Sequence, residues 1–330
     1  MVDFTGNPLT KDLTVDISNV TLSVCAGDDV APELVCENSD ELLSNGDFSN
    51  VTTPSAFPQP ADFADWEEFG DTFDDAFTAK QTLKLFGNFS GVTQTLPVLE
   101  GDFLCGYADI ITTSQDNIIG LSSFAEIKIE FLDAGGAIVQ DVVLAEYDRF
   151  TPATVNVWTT FGGCAEAPAG AVSARYAIFF QNSNGEPGSV VVDNATMKRV
   201  NSTYFEVNAV GCTANVDITN PVPTDECGVV TFTNSYNGTD DASDNYPQGK
   251  TLVTYTAVDE QGNESFCSIL VEVGDMTGPV IECPSDINVQ LEAGECEEIV
   301  FFDVPFSDLC GPIDAEMSQA INEALVNTAL

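Results

Sequence analysis

No histidine occurs anywhere in the 330 residues. The commonest general base, the base of nucleophilic triads and the commonest zinc and iron ligand are therefore missing. Catalysis by carboxylates alone, as in glycoside hydrolysis, is the route this composition leaves open, and no carboxylate pair is marked out by its setting. Cationic residues are scarce: nine Lys and Arg stand against 53 Asp and Glu, a formal net charge of −44. A polyanion of this kind repels nucleic acid and anionic membrane, so both are poor partners and no nucleic acid is expected to bind. No two cysteines are spaced CxxC, which removes zinc-ribbon and thioredoxin readings. No run of about 18 apolar residues is present, so no membrane-spanning helix is expected. Met1–Asp16 lacks the apolar core of a secretory signal. That leaves a leader removed before this numbering, or release without one, as in a virus particle.

Helical periodicity is nearly absent as well. Short alternating runs rich in Val, Ile, Thr and Phe dominate, broken by Gly, Asp, Asn and Pro. Examples are Ala125–Leu132, Ala174–Phe180, Ser189–Val192 and Leu252–Val258. This is the pattern of β-sandwiches and barrels, so an all-β fold is expected. Only Ala315–Leu330, with Met317, Ile321, Leu325 and Val326, has helical spacing. Acidic clusters such as Asp71, Asp74 and Asp75, or Asp240, Asp241 and Asp244, read either as solvated faces or as oxygen ligands for hard cations.

The ten cysteines admit many connectivities. Pairing neighbours in the chain joins Cys25 to Cys36, Cys105 to Cys164, Cys212 to Cys227, Cys267 to Cys283 and Cys296 to Cys310. Disulfides imply an oxidising compartment. Seven Asn-x-Ser/Thr sequons, at Asn19, Asn50, Asn88, Asn194, Asn201, Asn237 and Asn263, permit glycosylation there. Four parts are expected: an extended arm over 1–40, a large β domain over 41–200, a smaller sandwich over 201–275, and an incomplete second sandwich with a tail over 276–330.

The large domain opens with Leu43-Ser44-Asn45-Gly46-Asp47-Phe48. It passes through Trp66, Gly91-Val92-Thr93-Gln94, Ile129–Gly136, Trp158 and Ala167-Pro168-Ala169-Gly170-Ala171, and closes with Val190–Ala195. This order resembles the galactose-binding-like jelly rolls of extracellular carbohydrate-binding modules. Asp133-Ala134-Gly135-Gly136 reads as a hairpin turn. The resemblance implies a structural calcium between the first and last strands, with Asp47 and Asp193 as its carboxylate ligands; Ser49 stands where the family has Glu. A sugar site in such a fold stacks pyranose faces on aromatic rings. Trp66, Phe69, Phe73 and Tyr107 are the candidates, while Trp158 reads as core.

Gly249-Lys250-Thr251-Leu252-Val253-Thr254-Tyr255-Thr256-Ala257-Val258-Asp259-Glu260-Gln261-Gly262-Asn263 is followed by Cys267 and then by Pro279-Val280-Ile281-Glu282-Cys283-Pro284. This resembles the hyalin-repeat (HYR) domain, an immunoglobulin-like sandwich. An internal repeat accompanies it: Gly211-Cys212 with Cys227-Gly228, and again Gly294-Glu295-Cys296 with Cys310-Gly311. Asp28–Cys36 is similar to Gly274–Cys283, so the chain is expected to begin where one such domain ends. The strand-like arm Asp12–Val24 of one subunit would then complete the C-terminal half-domain of the next.

The expected protein is therefore a non-enzymatic, extracellular or surface-exposed structural and adhesive subunit. It self-associates head to tail into a filament and displays a jelly roll. The alternatives are a carbohydrate-binding accessory module, a fragment of a large adhesin, or a phage or virus surface appendage. No organic cofactor is expected.

Overall fold

The computed structural model describes residues 31–310 except 37–38, 56–60, 76–80, 149–154, 183–184, 186–187, 208–210, 226–227, 283–284, 291–292, 295–299, 301–303 and 309. The helix expected over Ala315–Leu330 and the donor strand expected over Asp12–Val24 lie outside these residues. Among the described residues the secondary structure is all β, and no helix is long and apolar enough to cross a membrane.

The first sandwich holds β1 (Ser39–Glu41), β2 (Val51–Thr53), β3 (Asp62–Phe63), β4 (Glu67–Asp75), β5 (Thr82–Pro97), β6 (Phe103–Ile111), β7 (Phe124–Leu132), β8 (Ile138–Tyr147), β9 (Thr159–Glu166), β10 (Ser173–Gln181) and β11 (Ser189–Val200). β5 is the hinge of the architecture. Its residues 89–97 pair with β10, and its residues 83–86 pair with β11. β10 continues to β7 and β8, whereas β11 continues to β6 and β9. β4 runs beside both halves of β5, with a bulge between Phe69 and Asp71. The β4–β5 ribbon is thus shared by two sheets that face each other, which is the jelly-roll arrangement.

Alternation explains why these strands form a sandwich. Ala125, Ile127, Ile129 and Phe131 of β7 and Ala174, Tyr176, Ile178 and Phe180 of β10 are fully buried, together with Leu83, Leu85, Val92, Val190 and Val192. The turn at Asp133 forms as its residues predict. Gly136 has φ 80°, and the Asp133 carboxylate accepts from the Gly135 and Ala137 amides at 2.8 and 2.9 Å.

The second sandwich holds β12 (Ser202–Glu206), β13 (Thr213–Val216), β14 (Val229–Asn234), β15 (Asp244–Pro247), β16 (Gly249–Asp259) and β17 (Glu264–Gly274). One layer is β12-β17-β16-β14 and the other is β13-β15. Val216, Tyr246, Val253, Tyr255, Val271 and Val273 fill the space between them. At the C-terminal side, β18 (Val280–Ile281) and β19 (Phe306–Ser307) make a two-stranded ladder of their own.

Two expectations are corrected here. Residues 33–36 are not an arm waiting for another subunit. Glu33 exchanges two backbone hydrogen bonds with Thr224, at 2.8 and 3.0 Å, and Leu34 and Cys36 are buried in the core of the second sandwich. Burying a leucine contributes about 1.5–3 kcal/mol, and the Cys36–Cys267 bond ties the same segment covalently to its own chain.

The neighbour pairing of cysteines is also wrong for Cys36 and Cys267. They are bonded to each other, not to Cys25 and Cys283, and the bond closes a separation of 231 residues. In chain-entropy terms a loop of that length stabilises the fold by about 5 kcal/mol. The expected staples Cys212–Cys227 and Cys296–Cys310 each include a cysteine, Cys227 or Cys296, that lies outside the described residues. Cys212 and Cys310 lie in contact, and that contact, followed by burial, pushes the Cys310 thiol up to about 11. Distance in sequence misled the pairing of Cys36 and Cys267, because sheet packing brings together cysteines that the chain order separates. Cys105 and Cys164, directly opposite each other on β6 and β9, are bonded.

Candidate binding face

The outer face of the β4-β5-β10-β7 half of the jelly roll carries the side chains that alternate with the core. Register sets them in rows across the strands. Glu126, Phe179, Gly91 and Phe69 lie in one row; Lys128, Ala177, Thr93 and Glu67 lie in the next; Glu130 faces Arg175 in the third. The small residues Gly91, Ala177 and Thr93 fall in the middle, so the face is hollowed there. The hollow has a volume of about 360 Å³ and is lined by Glu67, Phe69, Phe89, Lys128, Arg175 and Phe179 among others.

One wall is aromatic. Phe69 and Phe89 have ring centroids 5.1 Å apart, and Phe89 and Phe179 5.5 Å. Phe89 is 53 % exposed, although it sits within a strand. Gly91 makes this wall possible. A Cβ there would lie 2.5 Å from Cζ of Phe69 and 2.7 Å from Cβ of Phe179. The opposite wall is ionic. Lys128 Nζ lies 2.6 Å from Glu130 Oε1, 3.2 Å from Asp141 Oδ2 and 5.4 Å above the Phe179 ring. Arg175 Nε donates to Glu130 Oε2 at 2.6 Å.

Burial would raise the Glu130 carboxyl, but hydrogen bonds from Lys128 and Arg175 hold it below its ordinary value. Glu126 is pushed up by burial and by the neighbouring Glu146 carboxylate. Glu68 is pushed up mainly by burial, against the amide of Phe63 that donates to it at 2.5 Å. The cations are thus tied down and oriented by carboxylates, and the hollow presents ring faces beside fixed hydrogen-bonding groups.

Of the four aromatic candidates, only Phe69 lines this hollow. Trp66 is 6 % exposed and packs against Phe48 and Tyr176, with Nε1 donating to the Asn45 carbonyl at 2.9 Å. It is a core residue, because the turn that looked like an open loop folds over the sandwich. Phe73 lies opposite Lys84, on the half of β4 that borders the other sheet. Tyr107 stacks on Phe266 of the second sandwich, 5.3 Å away with planes 6° apart, and so belongs to the seam between the two sandwiches. Trp158 is half-buried and stands outside the core clusters.

Asp47 is exposed and accepts from Ser49 Oγ at 2.9 Å; Asp193 is buried and accepts from the Asn194 amide at 2.8 Å. Calcium takes six to eight oxygens, and no group of three His, Cys, Asp or Glu able to hold a metal occurs among the described residues.

Phe89, Phe179, Lys128, Glu130 and Arg175 escaped the sequence reading. For all but Phe89 the signal was present: in Ala125–Leu132 and Ala174–Phe180 the positions alternating with the core include Lys128, Glu130, Arg175 and Phe179. That the two runs are neighbours is what the sequence did not display.

Residues 194–273 match the HYR domain family. Hyalin of Strongylocentrotus purpuratus is 28% identical over 228 residues, which cover 66% of this chain and 18% of that protein. The chain thus spans about a fifth of the length of the curated relative it matches. Among solved structures, TmCBM61 in complex with beta-1,4-galactotriose is similar at 11% identity and a TM-score of 0.32, covering 48% of this chain and 99% of that one. The xylan-binding module CBM15 is similar at 9% identity and a TM-score of 0.30, covering 49% and 95%. Superpositions this loose say nothing of what this chain binds.

Proposed function

We propose that this chain, which carries an HYR domain over residues 194–273, is a non-enzymatic extracellular adhesion protein that binds a glycan on the outer face of β4-β5-β10-β7. The observation that carries this reading is the hollow between the Phe69–Phe89–Phe179 wall and the Lys128–Glu130–Arg175 network. A pyranose ring has apolar C–H faces and a polar rim. It therefore stacks on exposed rings while its hydroxyls take hydrogen bonds from side chains already fixed in place. Two disulfides in the described residues and the similarity to hyalin support an extracellular setting. The test is affinity electrophoresis of the whole chain against a panel of soluble polysaccharides. Phe89→Ala, at an exposed ring, is expected to leave the fold intact and weaken binding about tenfold, as the loss of one stacking contact implies. Undiminished binding by that variant, or no binding by the parent chain to any member of the panel, refutes the reading.

A second reading, self-association, is favoured by one observation. Among the described residues the ladder of β18 and β19 pairs with no further strand, and Val280, Ile281 and Phe306 on it are exposed. An isolated two-stranded ribbon is marginal in water and its edges attract further strands. Size-exclusion chromatography with electron microscopy tests this. Truncation must stop at residue 30, since Leu34 and Cys36 belong to the chain's own sandwich. Polymers that vanish on removing residues 1–30 support strand donation, and a monomer in both cases excludes it.

A further inference from the structure

We propose a further function that does not depend on glycan binding: the Cys36–Cys267 disulfide makes this chain a tension-bearing link that carries load past the jelly roll. The jelly roll is an insertion. The segment 33–36, bridged to Thr224 and buried at Leu34 and Cys36, packs into the sandwich of β12–β17, yet the whole of β1–β11 lies between them in the chain. The two connections leave side by side, because Ser39 pairs with Val200 and Asp40 with Arg199. The matched HYR region, 194–273, begins within β11, the last strand of the insertion, and omits residues 33–36.

Tension applied through the segments before Cys36 and after Cys267 has two routes. One runs along the backbone over a sequence separation of 231, and the other runs through a single covalent bridge whose Cα atoms are 5.6 Å apart. The bridge is the shorter and stiffer route, so it takes the load. The jelly roll then hangs to the side, seated by the Tyr107–Phe266 stack, by Thr160 Oγ1 donating to the Glu264 carbonyl at 3.0 Å, and by Lys250 at 3.2 Å from Glu166. Without the bridge, the jelly roll would lie in series with the load, and β1 and β11 would be pulled apart first.

The experiment is single-molecule force spectroscopy of the whole chain, held at its two ends, before and after reduction of the folded protein. An extended residue spans ~3.6 Å, so opening the 231-residue loop releases on the order of 800 Å. That release is expected only after reduction. The unreduced Cys36→Ser variant, if it folds, is expected to release about 620 Å, less by the 59-residue loop that Cys105–Cys164 keeps closed. A release of about 800 Å from the unreduced parent chain overturns the proposal, as does the lack of any added release on reduction. The reduced parent chain keeps the test decisive should the variant fail to fold.

Discussion

Gly91→Ala separates a hollow built on glycine from one that merely contains it. The φ of Gly91 is not in the left-handed region, so alanine meets no backbone penalty of its own. With nothing in the way, Gly→Ala at such a site stabilises a protein by about 0.4–1 kcal/mol through the unfolded state. The structure predicts the opposite sign. The new methyl would sit 2.5 Å from Phe69 Cζ, 2.6 Å from the Ile178 carbonyl oxygen and 2.7 Å from Phe179 Cβ. The Phe69 ring can swing away, but the carbonyl and the Phe179 Cβ belong to the paired strand β10 and cannot. Overpacking of this kind costs about 1–3 kcal/mol, or roughly 2–12 °C in the melting temperature of a domain this size. The assay is calorimetric melting of the parent, of Gly91→Ala, of Phe69→Ala and of the double variant. Removing the Phe69 ring relieves one of the three contacts, so the cycle should show a coupling of at least about 0.5 kcal/mol. A stabilised Gly91→Ala, or additive effects in the double variant, would refute the account of how the hollow is formed.

Glu130→Gln is expected to destabilise the chain by about 1–3 kcal/mol at neutral pH, since it removes the charge that binds Lys128 and Arg175. Because the folded Glu130 carboxyl lies below its ordinary value, its stabilisation is present above the unfolded pKa and is lost as pH falls through the folded one. Melting temperatures from pH 6 down to pH 3 should therefore fall less steeply in Glu130→Gln than in the parent. Glu126 has the opposite sign. Its carboxyl is raised, so its ionisation opposes folding at neutral pH, and Glu126→Gln should raise the melting temperature at pH 7 while changing little at pH 4. Phe266→Ala removes the ring that Tyr107 stacks on and should loosen the seam between the sandwiches, seen as faster proteolysis of the β16–β17 turn with the jelly-roll melting transition unchanged.

Much of the fold was legible because β structure writes itself in period two. The runs 125–132, 174–180, 189–192 and 252–258 fall within β7, β10, β11 and β16, and the turn residues at Asp133–Gly136 form the hairpin their chemistry demands. The binding face was less legible. Trp66 stood in a polar, acidic stretch that resembles an exposed loop, but the segment folds back over the sandwich and buries the ring with Phe48 and Tyr176. Phe179 belongs to an alternating run whose period sets it on the outer face, but only the pairing of β10 with β5 brings it beside Phe89.

By itself the sequence determined the all-β class, the HYR likeness, the hairpin turns and which residues alternate along each strand, since these depend on contacts between near neighbours and on intrinsic backbone preferences. Tertiary structure alone decided that Cys36 meets Cys267, that the jelly roll is inserted within the second sandwich, and that Phe69, Phe89 and Phe179 share one wall with a Lys128–Glu130–Arg175 network opposite. Each of those depends on which strands lie side by side. Alternation divides a strand into two faces but carries no mark of its neighbour, so residues up to 231 positions apart become partners only when the sheets close.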